Sequence, residues 1–154
     1  IDQRLANVLL IAETDDRDAG TLDLRVGAGD ASGQGYALAG LGSVLGCTLD
    51  GARFTTDRVG TLDFPTALLT PPELPIRALR LNGKLAADGE AVETGTLLGV
   101  LTEADAATIK IGTAPLGTTL TALKVPLDGD ADGDGSPDGW RFVGAFTATR
   151  TTVE

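Results

Sequence analysis

Along Trp140 to Val153 the rings of Trp140, Phe142 and Phe146 share one parity, the period-two spacing of a strand that buries one face. Directly before it, Asp128 to Gly139 alternates five carboxylates (Asp128, Asp130, Asp132, Asp134 and Asp138) with Gly, Ala, Ser and Pro. Carboxylates this close repel one another unless a cation neutralises them or water solvates them all. Whatever holds the acidic run therefore also sets how the aromatic strand enters the fold.

Ca²⁺ takes about 6 to 8 oxygen ligands, and a short loop supplies them when alternate side chains turn inward around a glycine bend. Two registers fit. One starts at Asp128 and uses Asp128, Asp130 and Asp132 with Gly133 at the bend. The other uses Asp130, Asp132 and Asp134, bends at Gly135, takes the Ser136 carbonyl and adds Asp138. The second is preferred because it employs four carboxylates, with Asp128 outside or linked through water. Its closing position holds Arg141 where an EF-hand has a bidentate Glu, so the loop is not an EF-hand. The spacing D-x-D-x-D-G-x-x-D resembles the calcium loops of dockerins and thrombospondin type 3 repeats. A solvated acidic turn without metal is the alternative.

The remaining chain reads as β-rich and is expected to form one domain over residues 1–154, with the calcium loop at 128–139. Its 154 residues suffice for one core. That core is aliphatic, because the composition is 42% hydrophobic but 4% aromatic. Asp2 to Glu13 is expected to be a short helical turn leading into a strand. Leu22, Leu24 and Val26 then alternate with polar residues behind the acidic tip Asp15 to Gly20, as in a hairpin. Asp15, Asp16 and Asp18 could hold a second cation or simply face water. Glycines between Gly27 and Gly46 are read as loop and bulge residues, since each cluster is one residue too long for G-x-G-x-x-G.

Arg53–Thr56 and Gly60–Phe64 are strand candidates before a proline-broken crossover at Pro65, Pro71, Pro72 and Pro75. Strands are expected at Ile76–Ala86 and Val92–Leu101 around an Asp88-Gly89 turn. Thr102 is placed to cap a helix with Asp105 at its third position, running to Lys110, and Gly117–Leu123 suits a second short helix. The last strand is expected at or near the centre of the sheet. The fold class is mainly β, an antiparallel β-sandwich or flattened barrel with one or two short helices.

The Leu81-Asn-Gly-Lys-Leu85 and Gly95-Thr-Leu-Leu-Gly99 hairpin, the following helix, the loop from Asp132 to Asp138 and the Phe142-Val-Gly-Ala-Phe-Thr-Ala148 strand together resemble uncharacterised secreted lipoproteins of myxobacterial type. That resemblance covers about the second half of the chain. It implies an extracellular location or the outer surface of a bacterial envelope, agrees with a calcium loop and supplies no catalytic residue. A chain opening Ile-Asp-Gln-Arg is also expected to be a processed product.

Composition narrows the chemistry. The net charge is −10, with 12 scattered basic residues and no basic stripe, which argues against nucleic acid. No apolar run is long enough for a transmembrane helix. Histidine is absent and Cys47 is the single thiol, so the usual catalytic triad and paired-thiol chemistry cannot be built. Cys47 is expected to be a small buried hydrophobe. Three functions follow as expectations. The first is a noncatalytic, calcium-stabilised surface module for structure, adhesion or assembly, whose partners are other envelope or extracellular proteins or further copies of itself. The second is a sugar- or peptide-binding module using the Gly-rich segment around Tyr36. The third is a carboxylate hydrolase drawing on Asp15, Asp18, Asp57 or Asp63.

Overall fold

The computed structural model describes residues 8–16, 18–32, 35–56, 60–65 and 69–150. Seven strands come first: β1 (Val8–Asp16), β2 (Thr21–Ser32), β3 (Gly35–Asp50), β4 (Arg53–Thr56), β5 (Gly60–Pro65), β6 (Glu73–Leu85) and β7 (Ala91–Thr102). Then follow α1 (Glu103–Thr108), the two-residue strands β8 (Lys110–Ile111) and β9 (Ala114–Pro115), α2 (Leu116–Ala122) and β10 (Gly139–Thr149). The main sheet has the order β1-β2-β3-β4-β6-β7-β10, with β5 also paired to β6. Every pairing is antiparallel, and the sheet curls into a half-barrel. The architecture is thus mainly β with two short helices, as the strand spacing indicated.

Curling brings one sheet face onto itself, and close approach on that face needs positions without a side chain. Phe54, Gly83, Gly95 and Phe146 stand in one row across β4, β6, β7 and β10. The Phe54 ring lies where a Cβ on Gly83 would sit, 2.6 Å from Cε1, and the Phe146 ring lies 2.3 Å from the corresponding point on Gly95. Each ring thereby packs on bare backbone, the aromatic cover that compensates a strand glycine for its lost packing. Phe54 is 1% exposed at the heart of the main core, with Leu22, Leu24, Val26, Leu45, Leu62 and Leu81.

Ile76 and Leu79 have opposite parity, yet both are fully buried. A bulge reconciles them: Ala78 has φ 47°, and the β6–β7 register shifts between Arg77 and Arg80, so the strand changes which parity faces inward. A second cluster of Leu101, Ala106, Ile109, Leu116 and Trp140 sits where α1 and α2 pack beside the ends of β7 and β10. Thr102 caps α1 as expected, its Oγ1 accepting from the Asp105 N–H at 3.0 Å. Asp105 also takes a bidentate pair from Arg77 at 2.9 and 3.0 Å, tying the β6 bulge to the helix start. Cys47 is buried at 2% exposure, with its Sγ 3.4 Å from the Leu45 carbonyl.

The strand expected at the end of Asp2 to Glu13 is present from Val8 onward, where the compact apolar run pairs with β2, and the helical turn expected before it lies outside the described residues. Two expectations need correction. Residues Gly27 to Gly46 belong largely to the β2–β3 hairpin, not to loops, and irregular register at Arg25/Gly27 and Ala28/Gly29 marks bulges within it. β10 is an edge strand, not a central one: among the described strands it pairs with β7 alone. Its aromatic face is rich for two separate reasons, since Trp140 fills the helix cluster while Phe142 and Phe146 line the main core.

Adding the missing Cβ in Gly95→Ala must displace the Phe146 ring, and the expected cost is about 1–3 kcal/mol, read as a lower melting temperature. The Arg77 pair, helped by Thr102, holds the Asp105 carboxyl below its usual range. A depressed folded value stabilises above the unfolded value of about 3.9, and that contribution is lost as pH falls through the folded value. Asp105→Asn should therefore destabilise the protein at neutral pH by about 1 kcal/mol, discounted for partial exposure. The gap from wild type should close below about pH 4, which melting curves across pH will check.

Candidate metal centre

The acidic loop is closed at its mouth by backbone. Gly129 and Gly139 form an antiparallel bridge, Gly129 N–H to the Gly139 carbonyl at 3.0 Å and Gly139 N–H to the Gly129 carbonyl at 3.1 Å. Neither position has room for a side chain. A Cβ on Gly139 would lie 2.4 Å from the Leu101 carbonyl oxygen, and one on Gly129 would lie 2.8 Å from Val100 Cγ1. Further bonds pin the mouth to its surroundings. Asp128 Oδ1 accepts from the Arg141 N–H at 3.0 Å, the Glu103 N–H donates to the Asp138 carbonyl at 3.0 Å, and Trp140 Nε1 donates to the Val125 carbonyl at 3.2 Å. The loop's exit is therefore also the first residue of β10.

Within the mouth the chain folds around Asp130. Its Oδ1 accepts from Gly133 N–H at 2.7 Å and its Oδ2 from Gly135 N–H at 2.8 Å. These two bonds, the Gly135 one foremost, hold the Asp130 carboxyl below its usual range. Asp132 Oδ1 accepts from Asp134 N–H at 3.1 Å, and Asp134 Oδ1 from Ser136 N–H at 2.7 Å. Gly133 and Gly135 have φ of 81° and 90°, a left-handed conformation that glycine adopts without strain. The result gathers oxygens of Asp130, Asp132 and Asp134 within 4.8 Å of one another.

These donors suit Ca²⁺. All are hard carboxylate oxygens, and oxygens bound at about 2.3–2.6 Å to one ion can be no more than about 5 Å apart. Asp138 and Asp128 stand outside that group. Asp138 Oδ1 accepts from Ala131 N–H at 2.9 Å, and Asp128 faces β10. Ser136 is exposed beside the group, with its N–H given to Asp134. The geometry thus follows the register that begins at Asp130, with three carboxylates at its centre.

The other acidic candidates that the structure describes lie on the β1–β2 hairpin and on β5. Asp16 Oδ1 accepts from the Ala19 N–H of its own turn at 2.9 Å, Asp18 is exposed on that turn, and Asp63 is exposed on β5. Asp57 and the Asp15 side chain lie outside the described region, as does the side chain of Tyr36. Among the described residues Asp130, Asp132 and Asp134 are the one acidic group gathered this way. Reading the acids alone missed the residues that hold the loop: Gly129, Gly139 and the Val125 carbonyl. The flanking glycines were visible in the sequence, but their crowding depends on Val100 and Leu101 of β7. No protein-family model, curated protein or solved structure matches the chain.

Calcium titrated into the protein by calorimetry should give binding in the range of about 10⁻⁴ to 10⁻³ M typical of extracellular modules. Asp132→Ala should abolish most of that heat, and equal heats from the two proteins would contradict the site.

Proposed function

We propose that this chain is a noncatalytic module, stabilised by Ca²⁺, that serves structure, adhesion or assembly outside the cell or on its surface. The observation that carries the reading is the three-carboxylate group of Asp130, Asp132 and Asp134, enclosed by a loop whose two ends are bonded to each other and to the start of β10. Placed there, Ca²⁺ would neutralise mutually repelling charges and fix the entry of an edge strand. An extracellular setting agrees with this chemistry, because weak calcium loops fill where calcium is abundant. It also agrees with the resemblance to secreted lipoproteins. No helix among the described residues is long and apolar enough to cross a membrane.

A carboxylate hydrolase would need two acids facing each other at about 5–10 Å across a cleft. One surface depression, of about 250 Å³, is floored by Gly83 and Gly95 and edged by Arg53, Asn82, Lys84 and Thr94. Another lies against Trp140 between α1 and α2, with Glu103 as its acidic group. The polar rim of the first is the feature that would serve a sugar-binding alternative.

An ion that binds only the folded state stabilises it by about 1.4 kcal/mol at ten times its dissociation constant. Melting curves in EDTA and in that excess of calcium should separate by about 2–5 °C. Superimposed curves would show that the loop is not coupled to the fold.

A further inference from the structure

The strand path of the main sheet ends in β1 on one side and β10 on the other, each with an outer edge unpaired among the described residues, while β5 lies off this path. The seven strands on this path alternate in direction, so β1 and β10 point the same way. Their chemistry is opposite. β10 and the residue after it carry Arg141 and Arg150 and no acid, whereas β1 and the residue after it carry three acids, Glu13, Asp15 and Asp16, and one base, Arg17. The net charge is −10, so a base-only edge on this chain is unusual and an acidic edge is its complement.

We propose that copies of this chain join head to tail, the β10 edge of one copy taking the β1 edge of the next as a parallel neighbour. The proposal rests on the assembly arm of the function above and is independent of calcium. Laying Asp16 beside Arg150 sets the apolar run Val8–Ala12 beside Phe142–Phe146. Leu10, Phe142 and Phe146, which all line the main core, then keep one parity on the concave face. Gly129 and Asp128 cover the edge at Gly139 and Arg141, and the next residue on that side, Val143, is 62% exposed.

Charge selects this mode over a two-fold pairing of β10 with itself. Antiparallel β10 strands centred on their uncharged stretch would set Arg141 of one copy against Arg150 of the other, a repulsive cross-strand pair. The head-to-tail mode instead brings Arg150 to the acidic end of β1. Glu90 engages Arg150 through Nη1, and the Arg150 side chain is 74% exposed. Such an interface is heterologous, so it propagates until a ring closes or a chain end remains.

Sedimentation velocity at fixed calcium tests this with two blocked edges. Ala145→Pro removes an N–H that points away from β7, because Arg141 on the same side donates to Asp128; the ladder to β7 is left intact. Asp15→Lys with Asp16→Lys blocks the β1 edge, and Arg150→Glu replaces Ala145→Pro if the proline variant melts early. Wild type should grow with concentration into dimers and larger species, and each blocked variant should need at least about tenfold more protein to associate. Mixing the two variants should give a 1:1 dimer and nothing larger. A wild type that stays monomeric throughout the micromolar range overturns the proposal. So does a β1-blocked variant that dimerises alone, which would reveal β10 paired with itself.

Discussion

Two glycines bonded backbone to backbone decide how the acidic segment meets the fold. Gly129 and Gly139 lie against Val100 and Leu101 of β7, where any side chain would collide, so the chain can close a loop on the sheet surface only there. Because Gly139 opens β10, the closure reaches the sheet without an intervening linker. Asp130 then organises the interior of the loop through Gly133 and Gly135, and Asp132 and Asp134 converge beside it. A cation in that group would therefore act on strand geometry as well as on charge.

The same use of missing side chains shapes the sheet. Phe54 over Gly83 and Phe146 over Gly95 let four strands bend around rings that sit on backbone. Two of the four phenylalanines of the chain are used in this way. The strand path of the half-barrel ends in β1 and β10, which places the acidic loop at one edge and leaves the rest of that edge for pairing. Edge strands are ordinarily guarded by charge or proline. β10 carries neither between Phe142 and Thr149.

Local features of the sequence translated well into structure. Thr102 and Asp105 are close in the chain, and their capping bond is decided by the few residues between them. The same holds for the Asp88-Gly89 turn, where Gly89 has φ 75° and its N–H donates to the Ala86 carbonyl. What stayed hidden depends on partners distant in sequence. Alternation along β10 fixed which residues face inward but not which strands flank it, and Trp140 belongs to a different cluster from Phe142 and Phe146. Glycines that resembled loop residues proved to be strand positions, because glycine marks close approach as readily as a turn. Asp138 has the spacing of a ligand, and its Oδ1 also accepts from the Ala131 N–H, a contact that alternation along the loop does not reveal.

The coupling between loop and strand is most directly read from hydrogen exchange at single amides. Calcium should slow exchange at Gly129, Gly139 and Arg141, whose N–H groups tie the loop mouth to β10, while the β2–β3 hairpin remains unchanged. Equal rates at those three amides with calcium and with EDTA would contradict the account.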